Sequence, residues 1–248
     1  MPFDTDVLIA APLIIVGAYT IFGISGFGSS LISIPLLAHF LPLKTVVPMM
    51  VLLDFSASFM TGLQSRPAIV WSEVRPLVPW MLGGIALGVW LLSRVPGDAL
   101  ILALGVFVTS YGVLTIVRHV RQITASKRWA APAGFAGGVM GAMFGAGGPI
   151  YVAYVSARLH DPDRFRATMS VVFSLGTSVR IVLFLITGLL LDARLWFAGI
   201  ALFPVMLLGT AIGRRIHVRL SRGHIARVIG GLLVVSGVSL IARSIASH

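Results

Sequence analysis

The sequence contains no cysteine and few charged residues. Only 11% of its 248 residues are charged, whereas soluble domains carry about a quarter. The lack of cysteine excludes disulfides, thiolate metal sites and cysteine nucleophiles, and it leaves the redox compartment open. The six histidines are scattered, with no pair at metal-ligand spacing on one helix. We therefore expect no metal site, no cofactor and no catalytic residue.

Polar stretches long enough for a soluble domain are also missing. Hydrophobic residues make up 57% of the chain, and the mean hydropathy is +0.99. About 20 apolar residues span a bilayer core of roughly 30 Å. The first apolar segment, 7–22, follows Asp4 and Asp6 without a small-residue cleavage site, so we interpret it as a retained helix rather than a signal peptide. Residues 1–248 are predicted to form a single membrane transport domain.

The basic residues lie in the joints between the apolar segments. A formal net charge of +11 would suggest nucleic acid binding in a soluble protein. In a membrane protein, lipid headgroups and the orientation of the chain explain such residues. We therefore expect membrane lipids and no nucleic acid as partners, while the oligomeric state cannot be read from the sequence.

The apolar segments form two sets of five. The second member of each set is too short to span the bilayer and follows a glycine-rich break, which predicts a half-helix or re-entrant arm. The fold class is therefore all-α, a polytopic membrane protein with eight to ten transmembrane or half-membrane helices. The predicted segments are 7–22, 31–41, 45–63, 76–93 and 98–117, then 131–144, 150–157, 167–191, 195–213 and 225–242.

The two sets are related by an internal repeat, which we place at 1–122 and 128–248. Small or rigid residues recur at an offset of about 125 residues, and the two breaks recur at about 119. The matched residues are Pro79, Gly84, Gly88, Gly105 and Gly112 with Pro204, Gly209, Gly213, Gly230 and Gly237, and Gly26-Phe27-Gly28 with Gly145-Ala146-Gly147.

The distribution of basic residues predicts that the repeats are inverted. Joints 64–75, 118–128, 158–166 and 214–222 together carry 13 Lys or Arg residues, whereas the alternate joints carry only Lys44, Arg94, Arg194 and Arg243. The positive-inside rule then puts both termini outside the cytoplasm. Inverted repeats with interrupted helices are typical of secondary transporters, whose substrates bind at mid-membrane.

The glycine-rich breaks are candidate anion sites. The half-helix after each break has free amide hydrogens and a positive dipole end, both of which favour anions. The alternative is that the glycines only allow close helix packing. The predicted substrate-binding residues of the breaks are Gly26, Gly28, Ser29 and Ser30 in the first repeat, and Gly145, Gly147, Gly148 and Pro149, the expected first residue of its arm, in the second.

Two charged residues lie deep within predicted segments. Asp54 and Arg180 occupy equivalent positions in the two repeats, at an offset of 126 residues. A charge at the bilayer centre costs at least about 2.5 kcal/mol, so each is expected to face the protein interior or water. We predict that Arg180 binds the anion, with Asp54 as its ion-pair partner or a coupling proton site. The alternative is a purely structural pair.

These motifs resemble those of the TauE/SafE family of sulfite exporters, over nearly the full chain. The resemblance is carried by the run Gly26-Phe27-Gly28-Ser29-Ser30-Leu31-Ile32-Ser33-Ile34-Pro35-Leu36-Leu37, its partner Gly145-Ala146-Gly147-Gly148-Pro149-Ile150-Tyr151-Val152, and the glycine helices 82–88 and 208–213. It implies transport of sulfite or organosulfonates across a bacterial inner membrane without ATP hydrolysis.

The expected function is thus a secondary transporter that exports small anions by alternating access, and not an enzyme. A passive anion channel is the alternative, because it would share the same topology. Transport that never saturates, or that a pH gradient never drives, would favour the channel.

Overall fold

The computed structural model describes residues 5–64, 68–117, 126–216 and 222–246. Within these ranges the chain forms helices joined by turns, and no strand is present. The predicted all-α class is therefore confirmed. The terminal residues lie outside the described ranges, so their predicted location outside the cytoplasm stays a prediction.

All ten predicted segments are helices. Two short elements, a four-residue helix at Trp71–Val74 and a 3-10 helix at Lys127–Trp129, were not predicted. The first half contains α1 Thr5–Ser25, α2 Ser29–Leu37, α3 Leu43–Gln64, α4 Trp71–Val74, α5 Val78–Arg94 and α6 Gly97–Val117. The second half contains α7 Ala130–Phe144, α8 Gly148–Ser156, α9 Pro162–Ile186, α10 Ala193–Ile216 and α11 Arg222–Ala246.

Helix length separates membrane-spanning helices from short arms. Five of the described helices, α1, α3, α6, α9 and α10, are long and apolar enough to cross a membrane. Helices α2 and α8 have nine residues each. At about 1.5 Å per residue, such a helix covers roughly half of the hydrocarbon core. The short arms predicted after the two breaks are therefore present.

The chain divides into two compact units that differ from the two sequence halves. The first unit comprises Met1–Val46, Val95–Arg121 and Pro204–His248, and the second comprises Val47–Arg94 and Gln122–Phe203. Each unit thus combines helices from both halves of the sequence. The repeat boundaries at 1–122 and 128–248 stay a prediction.

Glycines bring α10 against α1 in the first unit. A Cβ atom added to Gly209 would lie 2.7 Å from the Val16 carbonyl oxygen, and one added to Gly213 would collide with the Thr20 carbonyl oxygen. Small residues allow helix backbones in membranes to approach this closely. The glycines are therefore required for the contact between these two helices.

Helices α6 and α11 form a second glycine-mediated pair in the same unit. A Cβ at Gly105 would lie 3.0 Å from the Gly237 carbonyl oxygen, and one at Gly112 would lie 2.7 Å from the Gly230 carbonyl oxygen. The matched glycines of the two repeats therefore face each other in this pair.

Helices α5 and α7 form the corresponding pair in the second unit. A Cβ at Gly84 would collide with the Phe135 carbonyl oxygen, and one at Gly88 would lie 2.7 Å from the Val139 carbonyl oxygen. These glycines correspond to Gly209 and Gly213 at the offset of about 125. The carbonyls that they contact, of Phe135 and Val139, correspond to those of Val16 and Thr20 in the first unit at the offset of about 119. The contacts support an internal repeat, whereas its inverted orientation stays a prediction.

Candidate anion site

The first break turns the chain between α1 and α2. Gly26 has a φ of 81° and Gly28 a φ of 93°, in the left-handed region that other residues adopt only with strain. The Gly26 amide donates a hydrogen bond to the Phe22 carbonyl oxygen at 2.7 Å, which closes the end of α1. A Cβ at either glycine would meet no atom within 4 Å. These two glycines therefore serve the turn rather than helix packing.

Two serines open α2 inside the first unit. Ser29 and Ser30 are 4% and 3% exposed, and the Ser33 hydroxyl donates to the Ser29 carbonyl oxygen at 2.9 Å. They are the first two residues of α2, whereas the predicted segment began at residue 31 and left both serines in the break. Binding of a substrate by these residues stays a prediction.

The second break ends α7 with a left-handed glycine and starts α8. Gly145 has a φ of 62°, and its amide donates to the Gly141 carbonyl oxygen while the Ala146 amide donates to that of Met140. The Gly145 bond is the αL arrangement of helix C-termini. Helix α8 begins at Gly148, so Pro149 is its second residue rather than the predicted first. The shift costs no hydrogen bond, because the first helical turn leaves its amides free.

Gly147 packs tightly against α7. A Cβ at Gly147 would collide with the Gly137 carbonyl oxygen and lie 3.0 Å from Cε2 of Tyr151. A Cβ at Gly137 would collide with the same tyrosine ring. Close packing, the alternative to a binding role, therefore accounts for at least part of the need for glycine at position 147.

The start of α8 nevertheless has free donors. Gly147 and Gly148 are buried, and their amides have no hydrogen-bond partner among the residues that the structure describes. The next two amides, of Ile150 and Tyr151, donate to the Gly147 carbonyl oxygen. Buried amides without a partner are rare in proteins. Two such donors at one helix start fit an anion site.

Arg180 lies in the interior of the second unit, on α9. It is 5% exposed, and its Nε and Nη2 atoms have no hydrogen-bond partner among the described residues. The guanidinium carbon is 5.7 Å from the ring centroid of Phe184, a cation–π contact. Burial of a charge is costly unless it is paired and hydrogen-bonded. Arg180 therefore has unused capacity to bind an anion.

Asp54 and Tyr151 both interact electrostatically with Arg180. Asp54 lies on α3 and is 8% exposed. Tyr151, in the first turns of α8, makes an edge contact with Phe173 of α9 at 6.3 Å between ring centroids. The structure thus brings Arg180, Asp54 and the start of α8 into one unit. The first break belongs to the other unit, and a cavity shared by the two breaks stays a prediction.

A buried ionic cluster near the other end of α8 was not predicted. Glu73 of α4 accepts hydrogen bonds from Tyr154 at 3.0 Å and from Nε of Arg158 at 3.1 Å through Oε2, and from Nη2 of Arg158 at 2.8 Å through Oε1. The only sequence signal was that Glu73 is the single acidic residue of the basic joint 64–75. The positive-inside rule explains Arg158, in joint 158–166, only by membrane orientation.

The hydrogen bonds determine the ionisation of Glu73. Burial alone would raise the pKa of this carboxyl, but hydrogen bonds from Arg158 and Tyr154 outweigh burial and hold the pKa below its usual range. The same pairing raises the pKa of Arg158. The cluster is therefore a permanent ion pair near neutral pH.

The described residues include no group of three or more His, Asp or Glu side chains that could hold a metal ion. Five helices of membrane-spanning length, together with two nine-residue arms, define a multi-pass membrane protein as the class of protein. A sequence profile described as Sulfite exporter TauE/SafE matches residues 11–240. The chain belongs to this family, as its motifs indicated.

Two curated relatives cover most of the chain. The "Probable inner membrane transporter protein TsaS" of Comamonas testosteroni is 28% identical over 194 residues, which cover 77% of this chain and 81% of the relative. The "Probable sulfite/organosulfonate exporter TauE" of Cupriavidus necator is 26% identical over 240 residues, or 94% and 93% of the two chains. No solved structure matches the chain. The protein is a multi-pass transporter of the bacterial inner membrane.

Proposed function

We propose that this protein is a secondary transporter that exports sulfite or an organosulfonate by alternating access. The observation that carries the proposal is the buried Arg180 side chain, whose Nε and Nη2 atoms have no partner among the described residues. The substrate class follows from the family, described as sulfite exporters, and from a relative named as a sulfite/organosulfonate exporter.

The guanidinium of Arg180 would supply most of the binding energy. Its planar fork matches two oxygens of a sulfite or sulfonate group and donates charge-assisted hydrogen bonds to both. The free amides of Gly147 and Gly148 and the positive end of the α8 dipole add donors for the same charge. The Phe184 ring supplies an apolar wall that the alkyl part of a sulfonate can contact.

Asp54 sets the charge balance of the site. Its carboxylate offsets the Arg180 charge when no anion is bound. A bound monoanion adds a second negative charge, which a low-dielectric interior disfavours. A proton on Asp54 would restore neutrality, so we expect the loaded site to carry a proton together with the anion. A purely structural Asp54–Arg180 pair is the competing interpretation.

Transport by the purified protein in liposomes tests the proposal. Vesicles loaded with sulfite, and separately with methanesulfonate, are expected to release the anion with saturable kinetics. A pH gradient should accelerate the release. Arg180→Ala should abolish it, whereas Arg164→Ala, an exposed arginine on the same helix, should not. Non-saturating flux that ignores the pH gradient would indicate an anion channel instead and contradict alternating access.

A further inference from the structure

The short helix α4 is bonded to both helices that carry the proposed anion site. The Val70 amide, directly before α4, donates to the Thr168 hydroxyl of α9 at 3.1 Å. Glu73 accepts hydrogen bonds from Tyr154 of α8 and from Arg158, two residues beyond its end. Thus α8, whose first residues form part of the proposed anion site, and α9, which carries Arg180, are both hydrogen-bonded to the segment of the same four-residue helix.

We propose that Glu73 is a positioning residue, which holds α8 at a fixed place relative to α9 so that the start of α8 stays beside Arg180. We call Glu73, Tyr154 and Arg158 the clamp. Its effect on anion binding rests on the proposed function, whereas its effect on the position of α8 does not.

The length of α8 makes a clamp necessary. A helix of nine residues is marginal in isolation, so tertiary contacts must hold it. Near its N-terminal end, Gly147 and the Tyr151 ring pack against Gly137 of α7. Near its C-terminal end, Val155 is fully buried, and the hydrogen bonds to Glu73 are the polar attachment. Without these hydrogen bonds only apolar packing would hold this end, and we expect its position to vary more.

The clamp is a fixed charge rather than a second proton carrier. The groups that act on Glu73 are Arg158 and Tyr154 from the α8 end and Lys127 from the 3-10 helix. All three stabilise its carboxylate. A carboxyl whose pKa is lowered on folding contributes stability above its unfolded pKa and loses it as the pH falls through the folded pKa. Between pH 6 and 8, approximately, the clamp should therefore stay closed.

Spin-label distances test the position of α8 directly. Because the chain has no cysteine, labels can be placed on exposed residues by Ala153→Cys in α8 and Leu175→Cys in α9. We expect a narrow distance distribution in the parent protein and a clearly broader one with Glu73→Gln. The charge-swapped pair Glu73→Arg with Arg158→Glu should restore much of the narrow distribution. Asp163→Asn, an exposed carboxylate in the first turn of α9, is the matched control and should change nothing.

An unchanged distribution in folded Glu73→Gln protein would overturn the proposal. Folding is checked by the thermal unfolding midpoint in detergent. Should Glu73→Gln fail to fold, Glu73→Asp keeps the charge but shortens the reach by one methylene, and the proposal requires broadening there. An unchanged distribution with Glu73→Asp would then overturn it.

Sulfite binding separates failure of the clamp from failure of the anion site. We expect about tenfold weaker binding with Glu73→Gln and partial recovery in the charge-swapped pair. If Arg180→Ala loses binding while Glu73→Gln leaves the distances unchanged, the clamp is wrong and the site stands. If Glu73→Gln broadens the distances while Arg180→Ala binds sulfite normally, the clamp stands and the proposed site is wrong.

Discussion

The two breaks share a backbone plan but differ in their chemistry. In each, a helix, α1 of 21 residues or α7 of 15, ends at a left-handed glycine, Gly26 or Gly145, and a nine-residue helix follows. The first short helix opens with Ser29-Ser30, whereas the second opens with Gly148-Pro149. The comparison teaches that the two breaks share the left-handed end of the first helix but not the start of the second, because the residue before the short helix is left-handed at Gly28 and right-handed at Gly147.

The two breaks differ most in whether a buried arginine lies in the same unit. The second break shares its unit with Arg180, whose counterpart in the first repeat is the oppositely charged Asp54. Asp54 itself lies in the same unit as Arg180. Both repeat-related charges therefore belong to the unit of the second break. This concentration leads us to expect that the second break dominates anion affinity.

The largest expected effect is that of Arg180→Ala on sulfite affinity. The variant loses two charge-assisted hydrogen bonds worth about 1.5 to 3 kcal/mol each, so affinity should fall by roughly 100-fold or more. Arg180→Lys keeps the charge without the planar fork and should fall less. Isothermal titration of the detergent-purified protein measures both. Equal sulfite affinity of Arg180→Ala and the parent protein would contradict the expectation that the second break dominates anion affinity.

The double variant Asp54→Asn with Arg180→Gln separates a substrate site from a structural pair. Removal of one partner of a buried pair costs about 3 to 5 kcal/mol, because the other charge is left uncompensated. The double variant should therefore recover the expression that either single variant loses. Transport should remain absent if Arg180 binds the anion. Recovery of anion flux would assign both residues a purely structural role.

Gly147→Ala should have the next largest effect, on stability. The added methyl group would collide with the Gly137 carbonyl oxygen and contact the Tyr151 ring, and overpacking costs about 1 to 3 kcal/mol. Gly141→Ala is a matched control, because its Cβ would meet nothing closer than 3.6 Å. Thermal unfolding in detergent should show a lower midpoint for Gly147→Ala alone. Equal midpoints would mean that Gly147 is not a packing residue.

Gly28→Ala should have a smaller effect, with a different cause. No atom lies within 4 Å of the added Cβ, so only the left-handed conformation is penalised, by roughly 1 to 2 kcal/mol. Gly28→Asn should cost less, because asparagine tolerates this region better than alanine. Unfolding midpoints of the two variants measure the difference. Alanine and asparagine variants of equal stability would show that the positive φ at Gly28 carries no penalty.

Ser29→Ala and Ser30→Ala should have the smallest effects. Each variant removes one neutral hydroxyl donor, worth about 1 kcal/mol. A severalfold loss of sulfite affinity is expected if the first break contributes to binding. Ser33→Ala, at a fully buried serine one helical turn further along α2, is the control. A loss of affinity as large as that of Arg180→Ala would contradict the expectation that the second break dominates anion affinity.

Local patterns in the sequence predicted the helices well. Runs of apolar residues gave all ten segments, because the membrane thickness fixes helix length. Glycine spacing marked residues such as Gly84 and Gly209 as repeat-related, but their tight contacts with α7 and α1 were not predicted and come from the structure.

Contacts between distant residues could not be predicted in the same way. The clamp joins Glu73 to Tyr154 and Arg158 across more than 80 residues, and each of these residues has an ordinary local explanation. The division of the helices into two compact units could not be predicted for the same reason. Gly147 was assigned to binding, and its packing against Gly137 emerged only from the three-dimensional arrangement.

The combination of both sequence halves in each unit constrains synthesis of the protein. Helix α6, Gly97–Val117, packs against α11, Arg222–Ala246, which follows the other described helices in the chain. The glycine face of α6 must therefore stay uncovered in the lipid until α11 has been inserted. A chain arrested before residue 222 would leave the first unit incomplete.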